Sequence, residues 1–145
     1  MIVRLIEYGS TEYHKAVHLR DLILRQPLGL HLDPQDLLKE ENDLHIGCFE
    51  NNKLIGTLIL TPKDKNIIQM RQVAVDNNQQ HKGVGSMLVK FAEKIANEHR
   101  FSKIILSART TVLNFYLKAG YKSVGEEYIS KSTNIPHIEM IKIIS

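Results

Sequence analysis

The chain switches between two hydrophobic periods, and the switches mark its elements. Residues 2–8 mix Val, Ile and Leu with Arg4 and Glu7 and predict a first strand. Gly9-Ser10-Thr11 breaks it and supplies a helix N-cap, with Glu12 in the first turn. Tyr13, Ala16, Val17, Ile23 and Leu24 recur at helical spacing, which predicts an amphipathic helix over 11–25 that Pro27 ends. Asp33-Pro34-Gln35-Asp36 opens a short helix: an Asp cap, Pro at the first helical position and an acid in the first turn. Leu44, Ile46 and Cys48 alternate with His45 and Gly47, Asn51-Asn52 turns a hairpin, and residues 54–61 return until Pro62. A turn over 63–66 leads into a strand over 67–75, so three antiparallel strands in a row are expected.

Helical spacing resumes over 84–97, with Val84, Met87, Leu88, Phe91, Ile95 and Ala96 as the apolar stripe. Ile104-Ile105-Leu106 is a short unbroken apolar run, which after a helix suits a central parallel strand. Strand, helix and strand then form one right-handed crossover unit. Thr110 is the expected cap of another helix, Gly120 its C′ residue, and residues 121–129 and 135–144 close the chain as two β segments. The order β-α-α-β-β-β-α-β-α-β-β makes an α/β protein with a central mixed sheet flanked by helices. Arg20 falls on or beside the first apolar stripe. It is either a substrate-binding cation or, the favoured reading, a side chain that lays its stem on the core and snorkels outward.

Bulk properties narrow the class. A length of 145 residues, 43% apolar and 24% charged, fits a single globular domain over 1–145. No apolar run is long enough for a membrane span, and the first seven residues are too short and charged for a signal peptide. Cys48 alone cannot form an internal disulfide, so a cytoplasmic location is expected. The net charge of +3 admits an anionic ligand, but the basic residues are scattered and tryptophan is absent, so nucleic acid is not the expected partner.

The chemistry centres on Gln80-His81-Lys82-Gly83-Val84-Gly85-Ser86, between a predicted strand and a predicted helix. A glycine-bearing turn there aims backbone N–H groups at an anion above the helix N-terminus. It lacks the spacing of a Walker loop or a dinucleotide fingerprint. His14 and His18 stand four apart on a helix, but no third ligand is evident, and no metal is expected. Cys48 on a core-patterned strand reads as packing.

Gln80-x-x-Gly83-x-Gly85, five residues after Val75, resembles the acyl-coenzyme A signature of the GNAT superfamily of N-acyltransferases. Asn114-Phe115-Tyr116-Leu117-Lys118-Ala119-Gly120-Tyr121 resembles that family's tyrosine-bearing helix followed by Gly-Phe or Gly-Tyr. The resemblance implies a GNAT-like fold and acetyl-CoA as co-substrate. It implies that amides of residues 81–86 wrap the pyrophosphate, with Lys82 as a nearby cation. It implies that the pantetheine arm pairs with the backbone of Val73 and Val75, and that the strands of Val75 and Ile105 splay apart to admit it. By position Tyr116 matches the general acid, with a packed aromatic as its other reading. Glu126, Glu127, His137 and Glu139 are all open as the base. Arg109 either reaches the cofactor or sits at the surface.

The expected activity is transfer of an acetyl group from acetyl-CoA to a primary amine by direct attack in a ternary complex. The alternative is a non-catalytic acyl-CoA sensor of the same fold. The acceptor is a small-molecule or peptide amine left unidentified by scattered Arg20, Arg25, His31, Glu126 and His137. A homodimer stays open by family habit.

Overall fold

The computed structural model describes residues 1–145. The elements are β1 (Ile2–Ile6), α1 (Thr11–Leu24), α2 (Pro34–Leu38), β2 (Leu44–Glu50), β3 (Lys53–Pro62), β4 (Ile67–Val75), α3 (Val84–Glu98), β5 (Lys103–Arg109), α4 (Leu113–Lys118), β6 (Lys122–Ile129) and β7 (Pro136–Ile143). Short 3₁₀ turns at Gln26–Leu28, Asn77–Gln79 and Thr110–Val112 lie between them. One seven-stranded sheet runs β1-β2-β3-β4-β5-β7-β6, antiparallel except where β4 meets β5. No helix is long and apolar enough to cross a membrane.

Local chemistry explains most boundaries. Ser10 Oγ accepts the Tyr13 N–H at 3.1 Å, and Asp33 Oδ1 accepts the Gln35 N–H at 2.9 Å, so both predicted caps form. Asn51 and Asn52 adopt φ of 52° and 65°, the paired left-handed residues that a twisted two-residue hairpin requires. Thr110 does not cap α4. It starts a 3₁₀ turn, and the first residues of α4 have no side-chain cap.

Two apolar clusters hold the sheet. One joins α3 and α4 to β2–β5 and β7, through Leu58, Leu60, Ile68, Met70, Leu88, Ile104 and Met140 among others. The other joins α1 to β1–β4, through Ile6, Ala16, Leu19, Phe49, Leu54 and Ala74. The buried stripe of α3 is Val84, Leu88, Val89, Ala92, Ile95 and Ala96, rotated from the predicted one. Met87 is exposed and Phe91 only half-buried, because small Ala92 and Ala96 allow the close approach to the sheet.

β4 carries a bulge. Arg71 lies opposite Ile59 and Ala74 opposite Thr57, so β4 spends one residue more than β3 over this interval, and Gln72 adopts a φ of 56°. The extra residue changes which face each later side chain occupies. Val73 and Val75 pack with the α3 cluster beside Met70, while Ala74 turns to the α1 cluster.

Arg20 does not snorkel outward; it is buried in an ion pair with Glu40. Its Nη1 and Nη2 donate to Glu40 Oε1 and Oε2 at 2.9 and 2.7 Å, and both side chains are essentially inaccessible. Tyr13 donates to Glu40 Oε1 at 2.8 Å, and Arg20 Nε donates to Gln72 Oε1 at 3.2 Å, which ties the pair to the bulge. Burial alone would raise the Glu40 carboxyl, and the Arg20 bonds outweigh it, so its pKa is lowered. The stabilisation is therefore full above the ordinary carboxylate range and is lost as pH falls through the lowered value.

Glu40→Gln or Arg20→Met should each lower the unfolding free energy by about 3–5 kcal/mol, because one buried charge is left unpaired. Urea denaturation checks this, and the joint Arg20→Met/Glu40→Leu variant should lose less than either single change.

Candidate functional site

The β4–β5 ladder stops early. Ile67, Ile68 and Gln69 pair with Lys103, Ile104 and Ile105, and no pairing follows. β4 keeps β3 as its partner out to Val75, and β5 keeps β7 out to Arg109. The two strands therefore part over 70–75 and 106–109 while the rest of the sheet stays closed. The Asp76 N–H bonds the Ile55 carbonyl on β3 at 2.9 Å. Strand alternation then turns the amides of Val73 and Val75 toward the gap. A cleft of about 1110 Å³ opens there, and Val73, Val75, Ser107, Phe115 and Tyr116 are among its lining residues.

The turn after β4 is shaped by side-chain bonds to its own backbone. Asp76 accepts the Asn78 N–H at 2.9 Å, and the Gln80 side chain donates to the Val75 carbonyl at 3.1 Å. His81 and Gly83 take φ of 67° and 81°. No side chain caps α3, and its first backward bond runs from the Met87 N–H to the Gly83 carbonyl at 3.0 Å. The amides before Met87 are therefore open at the positive end of the helix, a ready anion site. Gln79 also lines the cleft, and its Oε1 is buried without a hydrogen-bond partner.

The predicted phosphate-loop residues divide by role. Gln80, His81, Gly83, Val84, Gly85 and Ser86 line the cleft, and Lys82 does not. The Val84 side chain is fully buried in the core, so only its backbone is available to a ligand. Gly83 needs its positive φ, and a Cβ there would meet nothing. Gly85 is different: a Cβ there would lie 3.2 Å from Phe115 Cζ, so its bareness seats α4 against α3.

Tyr116 stands on α4, 7% exposed, edge-on to Phe115 and Tyr121 with ring centroids 5.0 and 5.9 Å away. Burial pushes its pKa up to about 12, so the hydroxyl keeps its proton throughout the physiological range.

The opposite wall carries groups brought together by β-sheet register. Arg109 lies opposite His137, Ser107 opposite Glu139, and Tyr128 opposite His137. Tyr128 donates to Glu139 Oε1 at 2.8 Å. Ser107 Oγ contacts the Tyr128 hydroxyl and lies 3.0 Å from His137 Nδ1; Thr133 Oγ1 lies 3.2 Å from Nε2. Because each hydroxyl has one proton, these bonds run in one direction, from His137 Nδ1–H to Ser107 to Tyr128 to Glu139. Burial, then Arg109, lowers the His137 pKa against the pull of Glu139, which favours the neutral ring. Glu126 and Glu127 do not line the cleft; they fall where β6 bulges away from β7, beside Gly125 at φ 79°. Arg109 lines the cleft and does not sit free at the surface. It is half-buried, donating to the Leu24 carbonyl at 2.6 Å.

Ser107, Tyr128 and Thr133 carry no motif in the sequence. The signal that could have found Ser107 is a polar residue two before Arg109 on an otherwise apolar strand.

The two glycines should respond differently. Gly83→Ala should cost about 1–2 kcal/mol through backbone strain. Gly85→Val should cost about 1–3 kcal/mol by displacing Phe115. In thermal unfolding, Phe115→Ala should relieve much of the Gly85→Val loss and none of the Gly83→Ala loss.

The model of the Acetyltransferase (GNAT) family matches residues 11–121. The chain is 31% identical over 107 residues to the uncharacterized N-acetyltransferase YjcF of Bacillus subtilis (strain 168), covering 74% of each sequence. Its fold matches that of aminoglycoside 6'-N-acetyltransferase complexed with coenzyme A (TM-score 0.84, 17% identity, 100% of this chain and 98% of that one). It also matches FeeM, an N-acyl amino acid synthase from uncultured soil microbes (TM-score 0.85, 15% identity, 99% and 95%). With a family model across most of its length and a 31%-identical relative that it covers to 74%, the chain belongs to the GNAT acetyltransferase family.

Proposed function

We propose that this protein transfers an acetyl group from acetyl-CoA to a primary amine by direct attack in a ternary complex. The observation that carries the reading is the gap between β4 and β5, with open amides at one end and Tyr116 on its wall. Coenzyme A is a diphosphate joined to an amide-rich arm. The open amides from His81 to Ser86 suit the diphosphate, and the Val73 and Val75 backbone suits the arm. Enclosed Gln79 Oε1 is an acceptor that lacks a donor, and the arm has N–H groups to offer.

In this reading the acceptor nitrogen attacks the thioester carbon and the carbon–sulfur bond breaks. The Val73 N–H would donate to the thioester oxygen as charge develops there. Tyr116 would give its proton to the departing sulfur. The proton lost by the amine would pass to the Ser107–Tyr128–Glu139 chain, with Glu139 as the terminal base. His137 has both ring nitrogens engaged, so it would hold Ser107 rather than take the proton itself. Cys48 is fully buried and its thiol is pushed up by burial, which argues against an acyl-enzyme route.

A thiol-release assay of acetyl-CoA against an amine library tests the activity; tight CoA binding with no turnover of any amine would favour a sensor instead. Tyr116→Phe should lower kcat about 10²–10⁴-fold with little change in the KM for acetyl-CoA. Gly83→Glu should weaken CoA by at least about tenfold in calorimetry, through charge against the diphosphate. Normal affinity in that variant would remove the turn from the binding site.

A further inference from the structure

Two cations on the acceptor side of the cleft lack a carboxylate partner. Arg25 follows α1, Arg109 ends β5, and both line the cleft. Arg109 Nη2 and Arg25 Nη1 donate to one oxygen, the Leu24 carbonyl, at 2.6 and 3.3 Å. The two guanidinium groups are therefore neighbours, and each retains most of its five N–H donors. Both are partly withdrawn from solvent. None of the ion pairs in the molecule includes either residue.

Each carboxylate on this side already has other partners. Glu40 is taken by Arg20 and Tyr13, and Asp43 lies 3.8 Å from Arg71. Asp21 accepts from Gln26, His31 and the Leu32 N–H. Glu139 accepts from Tyr128, Asp33 caps α2 and Asp36 pairs with Lys39. Burial, then Arg109 and Arg20, lowers the Arg25 pKa, and Asp21 opposes this only in part; burial lowers Arg109 as well. Like charges held together out of water call for a counter-ion, and no carboxylate of the protein forms an ion pair with either.

We propose that the acceptor is an amine that also carries an oxyanion, the carboxylate of an amino acid or the phosphate of a phosphorylated amine, and that Arg25 and Arg109 receive that group. The proposal rests on the amine-acetylation reading above and narrows it. Arg109 is the cross-strand partner of His137 and shares a strand face with Ser107. An anion held there keeps a small amine beside the proposed proton-accepting chain. A polycationic amine would meet these guanidinium groups as like charge.

The test is thiol release from acetyl-CoA with matched acceptors: several amino acids against their amides, O-phosphoethanolamine against ethanolamine, and spermidine and kanamycin as polycations. The oxyanion-bearing member of a pair should win by about 10- to 100-fold in kcat/KM, mostly through KM. The better pair identifies carboxylate or phosphate. Arg25→Gln and Arg109→Gln should bring that ratio toward one, and Arg→Lys at either position should restore part of it; a merely structural role for the Leu24 bonds would not move the ratio. Polycations or amides preferred, or a ratio untouched by both glutamine variants, would overturn the proposal. If no amine is turned over, the transferase reading fails and the anion site is judged by binding alone. N-acetylated amino acids and inorganic phosphate are then titrated by NMR in the presence of CoA. Saturable binding lost in Arg109→Gln would support the site, and equal shifts in both proteins would refute it.

Discussion

The early end of the β4–β5 ladder is the constraint on which the rest of the molecule depends. A parallel pair that stopped at Gln69 and Ile105 inside an isolated sheet would leave costly unpaired edges. Here each strand keeps a full antiparallel partner on its outer side, so the sheet remains whole while two inner edges face each other across a gap. The gap opens into the cleft of about 1110 Å³, and the unpaired edges of β4 and β5 turn N–H and C=O groups toward it. The bulge at Gln72 completes the arrangement by returning Val73 and Val75 to the α3 side.

Stability and site geometry are joined through the Arg20–Glu40 pair. It sits in the α1 layer, yet Arg20 Nε reaches Gln72, the left-handed residue of the bulge. Strain in that backbone persists because the surroundings hold it. The same wall shows two fates for an arginine in this fold. Arg20 is neutralised internally by Glu40, whereas Arg25 and Arg109 face the cleft with only a shared carbonyl between them. Charge inside the cleft is thus selective in its placement, which is why composition alone pointed only to some anion.

Local rules made much of the architecture legible. Ser10, Asp33 and the Asn51-Asn52 pair act within a few residues of themselves, so their sequence signals survived folding. The shape of the turn at Gln80 to Ser86 was legible for the same reason, since its left-handed residues and the uncapped start of α3 are set by its own backbone. Apart from the Thr110 cap, the failures were tertiary. Met87 and Phe91 have the hydrophobicity of core residues, but Ala92 and Ala96 determine how closely α3 approaches the sheet. Arg20 could not be read as buried without Glu40, twenty residues away, and Gly85 could not be read as a packing residue without Phe115.

The amino-acid sequence by itself determined the order and type of the elements, the glycine-bearing turn and the tyrosine-bearing helix, because caps, turns and hydrophobic period are local. Only the tertiary structure decided where the sheet parts, which faces Val73 and Val75 occupy, and which of four candidate bases line the cleft. It alone joined Ser107 to Tyr128 and His137, and Arg25 to Arg109. Those are relations of strand register and of residues distant in the chain, and a single bulged residue can reverse them without leaving a mark in the hydrophobic pattern.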